Sequence, residues 1–188
     1  MLLAILWGST FFSTKRLVAI IPPTDFLAVR FLISTVVLVL VFHRSLKMSR
    51  RTWIHGSILG VLWATAELFQ TEGLAHTSAS ISGFVTGLYV VFTPVLGFLL
   101  FRLHVTRWVW VAVGLATVGL AALTIRPQAG LIGYGELLTI ACAIVYALHI
   151  AVMGRWSTPR EAASLTLSQA LSMTVVFILF ALPGGIQM

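Results

Sequence analysis

The chain has 188 residues, of which 59% are hydrophobic and only 9% charged, against roughly 45–50% apolar and 25% charged in ordinary soluble domains. Such a composition cannot cover the surface of a water-soluble fold, so a soluble enzyme, a disordered chain and a disulfide scaffold are excluded, the last also by the single cysteine, Cys142. The net charge of +7 sits mostly between apolar runs rather than on one aromatic-laced face, which argues for loop charges at a membrane and against nucleic acid as a partner.

Lipid is the natural solvent, and a spanning helix takes about 20 residues. Seven apolar stretches follow one another, at about 2–21, 25–42, 54–74, 80–101, 108–125, 134–153 and 164–182. In the first, Lys15 and Arg16 follow the apolar core instead of preceding it. That is the reverse of a signal peptide, so a retained span is expected. Pro22 and Pro23 end it, since proline has no N–H to donate, and Asp25 is expected to cap the second helix. His43 to Arg51 forms a basic turn, and His76-Thr77-Ser78 separates the third and fourth spans. Arg126-Pro127 with Gly130 closes the fifth, and Pro159 divides the sixth from the seventh.

The second, fourth and sixth connections carry Arg44, Lys47, Arg50, Arg51, Arg102, Arg107, Arg155 and Arg160; the third and fifth carry only Arg126. The positive-inside rule then places the N-terminus in the cytoplasm and the C-terminus outside. Trp53, Trp108, Trp110 and Trp156 fall at the cytoplasmic ends, as an interfacial belt does. At an offset of 139, residues 7–16 overlie 146–155, Arg30 meets Gln169, and Thr35-Val36-Val37 meets Thr174-Val175-Val176. A repeat of five spans starts its second copy from the opposite face of the membrane. The copies are then inverted, a common plan of secondary transporters with substrate sites between the halves.

Ionisable groups within spans are functional candidates, because lipid penalises them. Lys15, Arg30 and Glu67 all fall in the outer halves of their spans. Glu67 shares a helical face with Trp63, Gln70 and Thr71. Ser82, Thr86, Tyr89 and Thr93 make a polar stripe on the fourth span, and Glu136, Thr139, Cys142, Tyr146 and His149 another on the sixth. Such stripes should face one another or water. Arg30 or Lys15 can attract an anionic group, and Glu67 can pair with them or carry a coupling proton. Lys15 and Arg16 can equally snorkel to the surface, and Arg30 with Glu67 can be a packing strut. His149 is expected to be a satisfied interior histidine. Gly56 with Gly60 and Gly83 with Gly87 are small-residue pairs suited to close helix packing. Pro94, inside the fourth span, is a candidate kink or hinge. No G-x-S-x-G or H-E-x-x-H motif is present, no histidine–carboxylate spacing suits a metal, and the seventh span has no lysine for a retinal Schiff base. No enzyme activity, cofactor or metal is expected.

WGSTFFSTK at 7–15 with LAVRFLIS at 27–34, QTEGLAHTSASISGFVTGLYVVFTPVLGFLL at 70–100 and GELLTIACAIVYALHIAVMGRW at 135–156 resemble EamA-type members of the drug/metabolite transporter superfamily. The resemblance covers essentially the whole chain. It implies an all-α bundle of two inverted five-helix repeats, here 1–126 with a partial second repeat of two spans at 127–188, so that the chain reads as C-terminally truncated. It further implies a multi-pass inner-membrane transporter that exports a small polar metabolite or an amino-acid-like solute by alternating access. The substrate set would be drawn from Lys15, Arg30, Glu67, Gln70, Thr86, Tyr89, Thr93 and Tyr146, with Pro94, Gly83 and Gly87 as hinge or packing positions. The alternative is a paralogue that does not transport and acts at most as a membrane interaction protein. An incomplete second half also leaves helix faces open to a second copy of the chain.

Overall fold

The computed structural model describes residues 2–102, 104, 106–124 and 133–182, and all of its regular structure is helical. Helix α1 spans Leu2–Leu17, α2 Pro23–Val41 and α3 Arg50–His76, with a 3-10 turn at His43–Leu46. The fourth apolar stretch is divided into α4, Ala79–Thr86, and α5, Tyr89–Phe101. Helices α6, α7 and α8 cover Arg107–Thr124, Tyr134–Trp156 and Ala162–Ala181. The seven expected stretches thus each contain helix. Arg126, Pro127 and Gly130, expected to close the fifth, lie outside the described residues.

Local chemistry sets most of the boundaries. Helix α3 starts where Ser49 Oγ accepts from the Thr52 N–H at 3.1 Å, and α4 where Ser78 Oγ accepts from Ile81 N–H at 3.2 Å. Helix α7 starts where Glu136 reaches back to the Gly133 N–H at 3.0 Å and also accepts from the Thr77 hydroxyl. Asp25 does not cap α2. Pro22 holds the cap position without a side-chain bond, Pro23 is the first helical residue, and Asp25 is buried inside the first turn. Two successive prolines, with their preset φ, start the helix three residues earlier than a capping aspartate would. The interruption of the fourth span falls at Gly87-Leu88, while Pro94 lies within α5.

Helix α3 is the hub. It packs along α7 and α8, while α2 lies on α8 and α5 on α7. Leu27, Ala28, Ala64, Met173, Phe177 and Ala181 form the apolar centre where α2, α3 and α8 meet. Missing side chains let α3 come close: a Cβ on Gly60 would lie 2.7 Å from Gln169 O, and one on Gly73 would lie 2.8 Å from Gly135 O. A Cβ on Gly83 would meet nothing within 4 Å, and one on Gly87 only the carbonyls of its own helix. Helices α2 and α8 are joined by a reciprocal pair of bonds. Thr35 Oγ1 lies 3.1 Å from Ala170 O, Thr174 Oγ1 lies 3.1 Å from Phe31 O, and the two hydroxyls are 2.8 Å apart.

The outer surface is apolar. Leu32, Ile33, Val36, Val37, Leu40 and Val41 of α2 and Val175, Leu179 and Phe180 of α8 are exposed, an arrangement that is stable only in lipid. Among the described residues, four helical stretches are long and apolar enough to cross a bilayer: Pro23–Val41, Ala79–Phe101, Tyr134–Trp156 and Ala162–Ala181. Arg107–Gly119 is a shorter apolar stretch. At 1.5 Å per residue, the 16 residues of α1 reach about 24 Å, below the roughly 30 Å of a hydrocarbon core. Helix α3 has the length, but Glu67, Gln70, Thr71 and Glu72 interrupt its apolar run. The fold is an all-α polytopic membrane bundle.

Candidate functional site

Polar side chains of α2, α3 and α7 meet around Glu67. The carboxylate is buried in the wall of α3, with a side chain 7% exposed. Its Oε1 accepts the Tyr146 hydroxyl from α7 at 2.8 Å and the Trp63 indole N–H, one turn back on α3, at 3.4 Å. Its Oε2 faces Arg30 Nη1 of α2 at 3.5 Å. The Arg30 side chain is 38% exposed, and its guanidinium lies over the Phe31 ring, 5.2 Å from the centroid. A negative group and a positive group therefore stand side by side, one sheltered and one accessible.

The expected stripes converge in part. Gln70 Nε2 donates to Thr86 Oγ1 at 3.1 Å, which links α3 to α4. The rings of Tyr89 and Tyr146 are 6.4 Å apart, and Tyr89 lies 6.0 Å from Trp7 of α1, edge-on. Thr93 turns inward on its own helix and donates to Tyr89 O at 2.6 Å. Ser82 Oγ is buried without a hydrogen-bond partner among the described residues. Lys15 stands apart from Glu67: its ammonium donates to Leu74 O at 2.7 Å and Ala75 O at 2.9 Å, the end of α3. Lysine there satisfies carbonyls that the helix leaves open and complements its dipole. His149 Nε2 lies 2.8 Å from Gln169 Oε1, so the histidine is a partnered interior group.

A small polar cleft opens beside Glu67, lined by Trp7, Thr10, Phe11 and Thr14 of α1, Arg30, and Gln70, Thr71 and Leu74 of α3. Its volume is about 20 Å³, room for about one water molecule. Sequence reasoning missed the α1 lining. Trp7, Thr10, Phe11 and Thr14 stand at i, i+3, i+4 and i+7, one face of a helix, and that spacing was the available signal. Among the described residues no group of histidine, cysteine and carboxylate side chains is arranged to hold a metal.

Residues 1–125 match the EamA-like transporter family. A curated relative from Archaeoglobus fulgidus, described as an uncharacterized transporter, is 30% identical over 182 residues, covering 96% of this chain and 56% of the relative. The chain thus spans about half the length of the curated relative it matches. No solved structure matches it.

Proposed function

This chain belongs to the EamA-like transporter family, and from that premise we propose that it carries the Glu67 site of a transporter for small zwitterionic, amino-acid-like solutes. The membership makes it a multi-pass membrane protein of a transporter family, which is not an enzyme family. The solute class is carried by one observation: the buried Glu67 carboxylate and the accessible Arg30 guanidinium stand 3.5 Å apart at a cleft walled by Trp7 and Phe11. A solute carboxylate competes for Arg30, a solute ammonium for Glu67, and the rings shelter an apolar side chain. Glu67 also serves as the site for a coupling proton. The cleft as it stands admits about one water, so a solute enters only when the helices around it part, as alternating access requires.

In this reading all seven stretches cross the membrane, with the N-terminus cytoplasmic and the C-terminus outside, and 127–188 begins a second repeat inverted on 1–126. The Thr35–Thr174 contact supports the repeat. Exchanging each residue for its counterpart at the 139-residue offset turns the Thr35–Ala170 bond into the Thr174–Phe31 bond. A contact that maps onto itself lies on the pseudo-two-fold axis, and such a point stays put while the halves rock about it.

A thermal-shift titration of the purified chain tests the solute class. Zwitterionic amino acids should raise the melting temperature by mass action, whereas equal concentrations of their amides or of the corresponding amines should not. Stabilisation by all three alike, or by none, refutes the assignment.

A further inference from the structure

A second feature is separate from the polar cleft at Glu67, although Tyr89 of its lining reaches the Tyr146 ring. Helices α5, α6 and α7 enclose an apolar groove of about 420 Å³, lined by Tyr89, Thr93, Pro94 and Gly97 on one side and by Ala112 and Ile150 among others. Its size falls within the roughly 300–1,000 Å³ of ligand sites. Along α5 the lining runs from Tyr89 to Gly97, about 12 Å at 1.5 Å per residue. The groove opens among residues that face lipid, since Phe98 and Leu99 beside it are exposed.

Three arginines stand just beyond one end of this groove. Arg102 follows α5 and takes a left-handed conformation at φ 51°, which turns the chain out of the helix. Arg107 opens α6, two residues before the groove residue Val109, with its guanidinium 5.7 Å from the Trp108 ring centroid. Arg155 of α7 comes one turn after Ala151 and lies over Phe101, 5.7 Å from the ring centroid. Among the described residues none of the three forms an ion pair. The acid nearest in this part of the chain, Glu161, is engaged by the hydroxyls of Thr52 and Thr158.

We propose that this groove with its arginine rim is a binding site for an anionic phospholipid, one acyl chain lying along α5 and the phosphate resting among Arg102, Arg107 and Arg155. In a bilayer an apolar groove gains no hydrophobic driving force over the surrounding tails, so packing alone does not select an occupant. The rim does. Unpaired guanidinium groups at the membrane interface attract anionic headgroups, and guanidinium matches phosphate geometry through paired N–H donors. A neutral lipid fills the groove equally well but leaves the excess positive charge uncompensated.

Native mass spectrometry of the full chain, equilibrated in mild detergent with equal amounts of phosphatidylglycerol and phosphatidylcholine, tests this. Phosphatidylglycerol should be retained in preference, and the preference should fall about fivefold for each arginine replaced among R102Q, R107Q and R155Q. The Ala112→Phe variant, which fills the groove, should lose the retained lipid while its arginines remain. Circular dichroism identifies variants that fail to fold, and single Arg155→Gln carries the test if the variant combining R102Q, R107Q and R155Q does. Equal retention of the two lipids, or a preference untouched by the arginine changes, overturns the proposal. Retention of phosphatidylglycerol by Ala112→Phe at the wild-type level overturns it too, because the charge would then act without the groove. A lipid-free dimer mass also overturns it, since a second copy would then occupy the face.

Discussion

Replacing Tyr146 by phenylalanine removes one oxygen and little volume, and it isolates the bond on which the Glu67 site is built. The lost hydroxyl donates to a buried carboxylate at 2.8 Å, and a hydrogen bond to a charged group contributes about 1.5–3 kcal/mol. The remaining donors, Trp63 at 3.4 Å and Arg30 at 3.5 Å, lie at or beyond the long end of the useful range, so they do not replace it. A loss of about 2 kcal/mol is expected, which for a domain of this size corresponds to roughly 4–8 °C in melting temperature. The assay is thermal unfolding of the purified protein in detergent, run as a double-mutant cycle with Glu67→Gln. With the charge gone the same tyrosine change should cost only about 0.5–1.5 kcal/mol, the worth of a neutral bond, leaving a coupling energy of about 1 kcal/mol. A Tyr146→Phe variant as stable as wild type, or one with the same cost in both backgrounds, refutes the claim that Tyr146 holds the Glu67 carboxylate.

Other substitutions probe the rest of the frame. Gly73→Ala should destabilise by about 1–3 kcal/mol, because its methyl would lie 2.8 Å from Gly135 O and from Thr139 Oγ1; Gly83→Ala, with open space around it, should be close to neutral in the same melt. Thr35→Val and Thr174→Val should each cost about 1 kcal/mol, and the double variant less than their sum, since the two hydroxyls share one set of bonds. Lys15→Met should loosen the end of α3 that the ammonium holds, seen as faster amide exchange over residues 74–77 with the rest of α3 unchanged.

The helices were legible because their signals are local. Apolar runs separated by proline, glycine and basic turns need no knowledge of the partner helix, and Ser49 and Ser78 stand where N-caps belong. The start of α2 was misread because aspartate and proline both signal a helix start, and the prolines come first. The glycine pairs illustrate a different limit. Gly56 and Gly60 face the Ser168 and Gln169 region of α8, whereas Gly83 faces open space; spacing alone is the same in both pairs, and only the packed neighbour distinguishes them. Trp156 stacks on His55, with ring centroids 4.2 Å apart, while Trp108 is 70% exposed; a tryptophan at the end of an apolar run gives the same sequence signal in both cases. The candidate site was half legible. That Glu67, Arg30 and Tyr146 are unusual in spans follows from the cost of polar groups in lipid. That Tyr146, and not Lys15, reaches Glu67 follows from how α3 lies on α7, a contact separated by 79 residues and without a local signature.

Solute counterflow tests the central claim most directly. Proteoliposomes containing the chain, preloaded with an unlabelled amino-acid mixture, should accumulate labelled amino acids from outside. Glu67→Gln should reduce accumulation to the level of protein-free liposomes, while Thr117→Val, on an exposed face of α6, should leave it at the wild-type level. Accumulation by Glu67→Gln equal to that of wild type would contradict the assignment of Glu67 to the solute site.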